Sequence, residues 1–426
     1  MSDYRGMWKE LGLDLESHDA LLSVLGGAYG EIYLGQKDRP EGMKYFDFVM
    51  SEVHGLRIKE LMDAKAQGRK VIGSYCVFVP EELILAVDGV SVGLCAGAEF
   101  NFAGAEEVLP RNTCALIKSA FGFKLGKVCP YLEASDVVVG ENTCDGKKKS
   151  YEILKPLVKD LYVMDLPQMK SDMGRALLKE EYRRFLGKLE AVSGRKVTAA
   201  SLKKGIEIVN AKRRAVKRLA ALRAADPAPI SGLDALLVNQ VFFYDDPLRF
   251  TDAVNKLCDE LDERIKQGAG VFPAGTTRLI VSGCPMAVPN WKLPMLIEGS
   301  DAVIVGEESC VGERGARRIT AAQGDTVEEL LDEITERYFQ IDCAIFTPNP
   351  TRAAYVEEMA KNLHAQGVVH YCLQFCQPYI VESGPVEKEW EAAGLPTLRL
   401  ETDYSQEDAG QLKTRIEAFV ERLKGK

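Results

Sequence analysis

The sequence predicts an α/β protein with two Rossmann-like parallel-sheet domains, joined and flanked by helical segments. Two observations predict this fold. First, short β-branched runs alternate with helical stretches in both halves of the 426-residue chain, which is the pattern of βαβ units. Second, one strand-and-loop motif occurs twice, at 135–146 and at 300–312. The repetition indicates a duplicated unit.

Each copy of the motif contains a Ser-Asp pair, an apolar run, Gly-Glu, and a cysteine four residues after the glycine. These cysteines are Cys144 and Cys310. A second pair, Cys76 and Cys284, follows an apolar run upstream of each copy. Four cysteines therefore come directly after predicted strands, where open α/β sheets build ligand sites.

The first half of the chain is predicted to contain a helical segment and one sheet. Residues 1–68 form the helical N-terminal segment, with a helix over 46–66 and a glycine-rich break at Gly26 and Gly27. Residues 69–170 form the first α/β cluster-binding domain. Its predicted strands are 70–75, 90–95, 136–140 and 161–165, and its helices are 80–87, 114–121 and 147–158.

The second half is predicted to contain a helical domain over 171–277 and a second α/β cluster-binding domain over 278–426. The helical block 172–225 is interrupted at Ser193 and Gly194, and further helices follow over 231–267. Within this block, the basic stretch 203–223 has helical spacing, which predicts a solvated helix face. The predicted strands of the second sheet are 279–283, 302–306, 368–372 and 397–400, with helices at 326–338, 351–366 and 409–424.

The composition argues against several classes of protein. A net charge of −9 disfavours nucleic-acid binding, and neither a G-x-G-x-x-G after the first strand nor a Walker A motif supports nucleotide binding. No apolar run approaches the ~18 residues of a membrane span, and no secretory signal is visible, so we expect a cytoplasmic protein. In that reducing compartment, eleven cysteines and only four histidines predict thiolate metal or redox chemistry rather than disulfides.

The cysteines divide into three classes. Cys95, Cys258 and Cys372 lie in apolar or amphipathic stretches that predict core positions, whereas Cys129 and Cys343 are second-tier metal candidates. Six thiolates match two three-cysteine cubanes, each with one iron that has no protein ligand, better than one zinc tetrahedron. The metal-ligand candidates, which follow strands or start a helix, are Cys76, Cys114, Cys144, Cys284, Cys310 and Cys376.

The motifs around these cysteines resemble the 2-hydroxyacyl-CoA dehydratase and benzoyl-CoA reductase superfamily, over about residues 45–405. The match is specific in the combination of its motifs. The matching stretches are Gly73-Ser-Tyr-Cys76-Val-Phe-Val-Pro-Glu-Glu, Cys114-Ala-Leu-Ile-Lys-Ser, Cys129-Pro-Tyr, Glu141-Asn-Thr-Cys144-Asp-Gly-Lys-Lys-Lys149, Glu307-Glu-Ser-Cys310-Val-Gly-Glu-Arg314 and Leu373-Gln-Phe-Cys376-Gln-Pro-Tyr.

The resemblance implies a three-cysteine [4Fe-4S] site at Cys114, Cys144 and Cys376. The chain departs from the ordinary pattern by its additional cysteines, and this surplus resembles the double-cubane cluster proteins, which hold an [8Fe-9S] cluster. For the second cubane we expect Cys284, assisted by Cys76 and Cys310. Positive charge that softens reduction of a buried cluster is expected from residues after the cluster loops, unless these lie on a solvated face: Lys147, Lys148, Lys149 and Arg314.

The resemblance also implies a partner and a reaction. A separate homodimeric ATPase with its own [4Fe-4S] cluster passes low-potential electrons to this component, which reduces small molecules at its cluster. We expect the chain itself to be a homodimer, and both Gly-Glu-x-x-Cys loops to face one cleft. The alternatives are a single-[4Fe-4S] subunit of a 2-hydroxyacyl-CoA dehydratase or benzoyl-CoA reductase-like enzyme, and a non-catalytic zinc- or cluster-binding scaffold.

Overall fold

A computed structural model describes residues 4–425 and contains two four-stranded parallel sheets, which confirms the predicted α/β class. The first sheet has the order β2-β1-β3-β4, and its strands are β1 (Val71–Ser74), β2 (Val90–Gly93), β3 (Val137–Glu141) and β4 (Leu161–Met164). The second has the order β6-β5-β7-β8, and its strands are β5 (Thr277–Gly283), β6 (Ala302–Glu308), β7 (Gly367–Leu373) and β8 (Thr397–Thr402).

All eight strands overlap the predicted ranges, and the two sheets have equivalent strand orders. This equivalence agrees with the duplication inferred from the repeated motif. Every residue of β3, β5, β6 and β7 is buried. Their near-continuous apolar runs are typical of parallel strands that are covered on both faces.

Helices precede, connect and flank the two sheets. Before the first sheet lie α1 (Arg5–Glu10), α2 (Leu15–Tyr29), α3 (Met43–Ser51) and α4 (Leu56–Ala66). Within that sheet's chain segment lie α5 (Glu81–Ala86), α6 (Phe102–Glu106), α7 (Ala115–Leu125), α8 (Pro130–Ala134) and α9 (Asp145–Leu154). The remaining helices are α10 (Asp172–Ser193), α11 (Ala199–Leu222), α12 (Gly232–Val241), α13 (Pro247–Lys266), α14 (Lys292–Glu298), α15 (Val327–Phe339), α16 (Pro350–Asn362), α17 (Gln377–Ala392) and α18 (Ala409–Lys424).

The N-terminal helices differ from the prediction in two places. Gly26 and Gly27 do not break the chain but lie inside α2, whose end is held by stacking of Tyr29 on Tyr33. The single helix predicted over 46–66 is two helices, because the chain turns at Gly55 before α4. A Cβ atom at Gly55 would lie 2.4 Å from the ring of Tyr4.

Two helices of the second half, α14 and α17, were not predicted. Helix α17 contains Pro385, which in a sequence predicts a helix end rather than a helix interior. The helix continues because its apolar residues pack on the second sheet; Trp390, for example, is fully buried.

The prediction of a solvated face for the basic stretch 203–223 is wrong for three of its cations. Arg214 and Lys217 are exposed as expected, but the other face of α11 packs on α5 and α13, and Arg223, directly after α11, reaches β6. Carboxylates on those elements pair with the cations, which removes the cost of burying them. The buried pairs are Lys212–Glu81 at 2.9 Å, Arg213–Glu82 at 2.7 Å and Arg223–Glu307 at 2.5 Å.

Among residues 4–425, no helix combines the length and the apolar composition needed to cross a bilayer.

Replacing Arg213 by Leu should destabilise the fold strongly. The carboxylate of Glu82 is 0% exposed and would lose its guanidinium partner, at a cost of about 3–5 kcal/mol in the free energy of unfolding. Guanidinium denaturation followed by circular dichroism measures this loss. The matched control is Arg214→Leu on the exposed face of the same helix, with an expected change within about 0.5 kcal/mol. Equal losses in the two variants would contradict the role given to the buried pair.

Candidate functional site

One cavity of about 690 Å³ lies where the carboxyl ends of both sheets meet. The loops that follow β1, β2, β3, β5, β6 and β7 all contribute to its wall. Cys144 and Cys310, from the two copies of the repeated motif, line this same cavity. Both sheets therefore contribute to a single site, as the duplication predicts, and its volume is in the range of ligand sites.

Eight of the eleven cysteines line the cavity. Cys258 and Cys372 are fully buried elsewhere, as predicted for core thiols, and Cys129 caps α8 outside the cavity wall. Cys95 lines the cavity although its apolar run predicts a core position. The cavity cysteines are Cys76, Cys95, Cys114, Cys144, Cys284, Cys310, Cys343 and Cys376.

A signal for Cys95 was present in the sequence. It stands two residues after the end of β2, which is the position that Cys76 has after β1 and Cys310 has after β6. Its Sγ donates to the carbonyl oxygen of Tyr75 at 2.9 Å. Strand-end position was therefore a better guide than the apolar neighbours of this residue.

The first thiol group consists of Cys114, Cys144, Cys284 and Cys376. The thiols of Cys114 and Cys376 lie close enough to shift each other's pKa, and so do those of Cys376 and Cys284. Cys144 is close enough to Cys114 to interact with it electrostatically. Residues from both sheets thus meet in one group.

Three members of this group stand at helix N-termini. Cys114, Cys144 and Cys376 are the residues directly before α7, α9 and α17. The Sγ of Cys144 accepts a hydrogen bond from the backbone N–H of Lys147 at 3.4 Å. Free N–H groups and the helix dipole favour negative charge at such positions, which is the charge of a thiolate or of an anionic cluster.

Cys284 owes its position to the glycine before it. Gly283 has a φ of +135°, and a Cβ atom there would lie 2.0 Å from the carbonyl oxygen of Tyr371 on β7. The Sγ of Cys284 then accepts from the backbone N–H of Leu373 at 3.3 Å. The Ser-Gly-Cys sequence therefore brings this thiol against β7.

The second thiol group consists of Cys76, Cys310 and Cys343. The thiols of Cys76 and Cys310 lie close enough to shift each other's pKa. Arg314 donates to the Sγ of Cys310 at 3.4 Å and also to the hydroxyl of Tyr379. That hydroxyl lies 4.0 Å from the Sγ of Cys343, so Arg314 and Tyr379 connect Cys310 with Cys343.

Of the thiols in the two groups, Cys310 is the one whose pKa is lowered; the others, including Cys76 and Cys343, have raised pKa values. The hydrogen bond from Cys76 and the charge of Arg314 lower the pKa of Cys310 to about 6 against the opposing effect of burial, and the pKa of Cys76 is raised in turn. In the first group, the hydrogen bond with Cys376 and burial raise the pKa of Cys114, and burial raises that of Cys284. These thiols stay protonated unless a cation displaces the protons, as metal binding does.

Two of the four predicted cations lie at the thiols. Lys148 and Lys149 are more than half exposed, which is the solvated-face alternative. Lys147 instead lines the cavity, where its ammonium pairs with Glu141 at 2.8 Å. Arg314 is 1% exposed and pairs with Glu308 at 2.6 Å.

The donor set fits an iron–sulfur cluster better than a single ion. In residues 4–425, no three His, Cys, Asp or Glu side chains converge closely enough to hold one metal ion. A multi-iron cluster takes one thiolate per iron, so its ligands surround a volume instead of converging on a point. Several thiols spread around one large cavity meet that requirement.

Known proteins match the chain over most of its length. The family model of the 2-hydroxyglutaryl-CoA dehydratase D-component matches residues 76–423. The protein YjiM of Escherichia coli (strain K12) is 36% identical over 380 residues, which are 88% of this chain and 96% of that protein. The (R)-phenyllactyl-CoA dehydratase beta subunit of Clostridium sporogenes is 27% identical over 360 residues, 84% of this chain and 92% of the relative. A benzoyl-CoA reductase subunit of Thauera aromatica is 24% identical over 360 residues, 84% and 91% of the two chains.

Alkylation of the reduced, metal-free protein should distinguish cavity thiols from core thiols. Iodoacetamide should modify Cys310 fastest in the native state, because this residue is partly exposed in the cavity and its lowered pKa keeps it a thiolate. Cys144 and Cys376 are also partly exposed but have raised pKa values, so they should react more slowly. Cys258 and Cys372 should react only after unfolding in concentrated guanidinium, since both are 0% exposed. Peptide mass spectrometry gives the modified fraction at each site. Native labelling of Cys372 as fast as that of Cys310 would contradict the placement of Cys310 in the cavity and Cys372 in the core.

Proposed function

Because the chain belongs to the 2-hydroxyglutaryl-CoA dehydratase D-component family, we propose that it is the electron-accepting, substrate-reducing component of an iron–sulfur oxidoreductase. A separate ATP-hydrolysing [4Fe-4S] activator delivers low-potential electrons to it. The cofactor is an [8Fe-9S] double-cubane cluster, at which a small molecule is reduced.

The observation that carries this proposal is the presence of two thiol groups on one cavity. A single-cubane subunit needs three cysteines, and the first group already supplies them. The thiols of the second group, which come mainly from loops after β1 and β6, would then have no iron to bind. Two cubanes use three thiols of each group, and each cubane keeps one iron without a protein ligand.

The contacts support one change in the ligand sets. The family-type cubane keeps Cys114, Cys144 and Cys376. For the second cubane, the sequence predicts Cys284 with Cys76 and Cys310, but the Sγ of Cys284 lies against Leu373 of β7 at 3.3 Å, near Cys376. Cys343 shares the Tyr379–Arg314 contact with Cys310, so we propose Cys343 as the third ligand of that cubane.

Positive side chains and helix N-termini around the cavity would stabilise the negative charge of a bound cluster. When bound, an iron–sulfur cluster supplies one-electron redox chemistry, and each added electron places more negative charge in a buried site. Lys147 and Arg314 supply fixed positive charge at the thiols, and the N-termini of α7, α9 and α17 supply N–H groups. Apolar residues such as Leu116, Phe121 and Val288 line much of the remaining wall and limit access of water. Reduction against that barrier is the step for which coupling to ATP is needed.

The runner-up is a single-[4Fe-4S] subunit of a 2-hydroxyacyl-CoA dehydratase or benzoyl-CoA reductase-like enzyme. The names of the relatives favour it, since they are a dehydratase beta subunit and a reductase subunit. Metal content separates the possibilities: about eight irons per chain supports the double cubane, about four the single cubane, and zinc alone a scaffold.

The domain division and the assembly are part of the same proposal. The units are 1–68, 69–170, 171–277 and 278–426, in a cytoplasmic homodimer with one cluster in each subunit. Exposed apolar side chains before the first sheet and at the start of α13 support this assembly: Val24, Leu34, Phe48 and Leu248.

Removing two thiolates of the second group should remove one cubane. The double variant Cys76→Ser/Cys310→Ser should retain roughly half of the iron of the anaerobically purified protein, because the first group keeps its own ligands. Iron and sulfide analysis with electron paramagnetic resonance measures this loss. The control Cys258→Ser, outside the cavity, should keep all of its iron. Full iron content in the double variant would overturn the assignment of two cubanes.

Replacing Arg314 by Gln should make the cluster harder to reduce. The guanidinium donates to the Sγ of Cys310, and a charged hydrogen bond to a ligand sulfur stabilises the reduced state. A redox titration should therefore show a more negative potential at unchanged iron content. Arg318→Gln removes the same charge from the same loop without contacting a cavity thiol, and should shift the potential much less. Equal potentials in wild type and Arg314→Gln would contradict the role given to Arg314.

A further inference from the structure

A second, small recess lies on the other side of Arg314 from the cavity thiol Cys310 and is lined by four arginines. The residues of its wall are Arg314, Arg317, Arg318, Arg337, Gln340, Ile341, Asp342 and Tyr355. Its free volume is only about 10 Å³, so it accepts the oxygens of a small group at its mouth and not an extended molecule. We propose that this arginine pocket binds a phosphate-type oxyanion, a site that does not depend on the function proposed above.

The strongest observation is Arg337, a buried cation for which no ion pair is formed within residues 4–425. Its side chain is 4% exposed, and its guanidinium donates to the carbonyl oxygens of Arg318, at 3.0 Å, and of Gly315. The nearby carboxylate of Glu82 is already paired with Arg213 at 2.7 Å. Buried charges are rarely left without a counter-charge. Burial and the charge of Arg213 lower the pKa of Arg337 to about 10. A bound anion would stabilise the charged guanidinium and so oppose this lowering.

The other charged side chains around the recess also leave a positive surplus. Asp342 is shared by Lys170, at 2.6 Å, and Arg317, at 2.8 Å. The remaining carboxylate on Arg317 is that of Glu358, which is 3.5 Å away and 61% exposed. Arg318 is exposed and forms no ion pair within the described part of the chain. A further carboxylate, that of Glu313, accepts from the hydroxyl of Tyr355 at 3.1 Å. Four cations, counting Arg337, therefore face three carboxylates.

The carboxylate of Glu336, which lies next to the recess, does not neutralise this positive charge. Gln340, which lines the recess, donates its amide to Glu336 at 2.9 Å. Glu336 is in turn paired with Arg175 at 2.9 Å, on the side of α10. Its charge is thus compensated outside the recess.

Ring stacking holds two of the guanidinium groups in fixed planes. Arg317 lies over the ring of Tyr355, at 3.6 Å from its centroid, and Arg337 over the ring of Tyr338, at 4.4 Å. Stacking fixes these planes, so a guanidinium loses little further freedom on binding. Within residues 4–425, Nη1 of Arg337 and the guanidinium of Arg318 form no hydrogen bond and remain as donors for an anion. Several such donors suit an oxyanion with multiple oxygens, such as phosphate, which accepts forked hydrogen bonds from arginine.

Calorimetric titration of inorganic phosphate into the full-length protein tests the proposal, in a buffer of low ionic strength free of other oxyanions. We expect one saturable site per chain. Arg318→Gln should weaken binding about tenfold or more, because it removes a charged donor. Arg337→Gln should weaken it further. Arg415→Gln, which removes the same charge from an exposed position on α18, should bind phosphate as the wild type does.

Absence of saturable binding, or equal affinity in wild type and Arg318→Gln, would overturn the proposal. Because Arg318 is exposed, its variant remains informative even if Arg337→Gln does not fold. Competition with ADP identifies the source of the oxyanion. Displacement of phosphate by ADP indicates the phosphate end of an organic ligand, and its failure indicates free phosphate. Both outcomes require the arginine pocket.

Discussion

Buried carboxylates at the carboxyl ends of parallel strands are the constraint on which the site depends. Glu141 ends β3 and Glu307 lies near the end of β6, and both are almost completely buried. Each requires a cation, which Lys147 supplies to the first and Arg223 to the second. An unpaired charge there would cost several kcal/mol, so each pair holds its strand end, and the loop that carries the cysteine, in one place. The Gly-Glu of the repeated motif is therefore a structural element of the cluster loops.

The two cations reach these carboxylates by different routes, and this difference makes the two halves of the cavity unequal. Lys147 comes from the helix that directly follows the motif, so its ammonium lines the cavity. Arg223 comes from the end of the long helical block and lies outside the cavity wall. In the second copy, the cation at the cavity thiols is instead Arg314, which is held by Glu308. The two halves therefore have equivalent strand orders but different charged groups at their cysteine loops.

That divergence has a chemical consequence. The first thiol group is contacted mainly by neutral backbone N–H groups, such as those of Leu373 on Cys284 and Lys147 on Cys144. The second group receives a charged hydrogen bond from Arg314. Charge-assisted hydrogen bonds are roughly twice as strong as neutral ones, so electron density at the second group is stabilised more. The loop after β6 contains Arg314, which contacts Cys310 in the cavity, and also Arg317 and Arg318 of the arginine pocket. This loop therefore connects the cavity wall with the outer surface.

Much of the fold and the location of the site followed from the sequence. The alternation of apolar runs with helical stretches predicted all eight strands, and the repeated motif placed Cys144 and Cys310 at one cavity. These predictions succeed because they depend on local patterns and on one rule of geometry: ligand sites of parallel sheets form at the carboxyl ends of the strands. The position of Cys95, two residues after a strand, obeys the same rule.

Only the tertiary structure decided which side chains are neighbours. Cys284 follows a strand as Cys76 does, yet its thiol lies near Cys376 in the other thiol group, because Gly283 brings Cys284 against β7. Arg213 has the spacing of a solvated face, yet it is buried against Glu82, 131 residues away in the chain. Periodicity records which side of a helix a residue occupies, but not whether water or a distant carboxylate covers that side. That choice depends on long-range packing, where one ion pair offsets the cost of burying two charges.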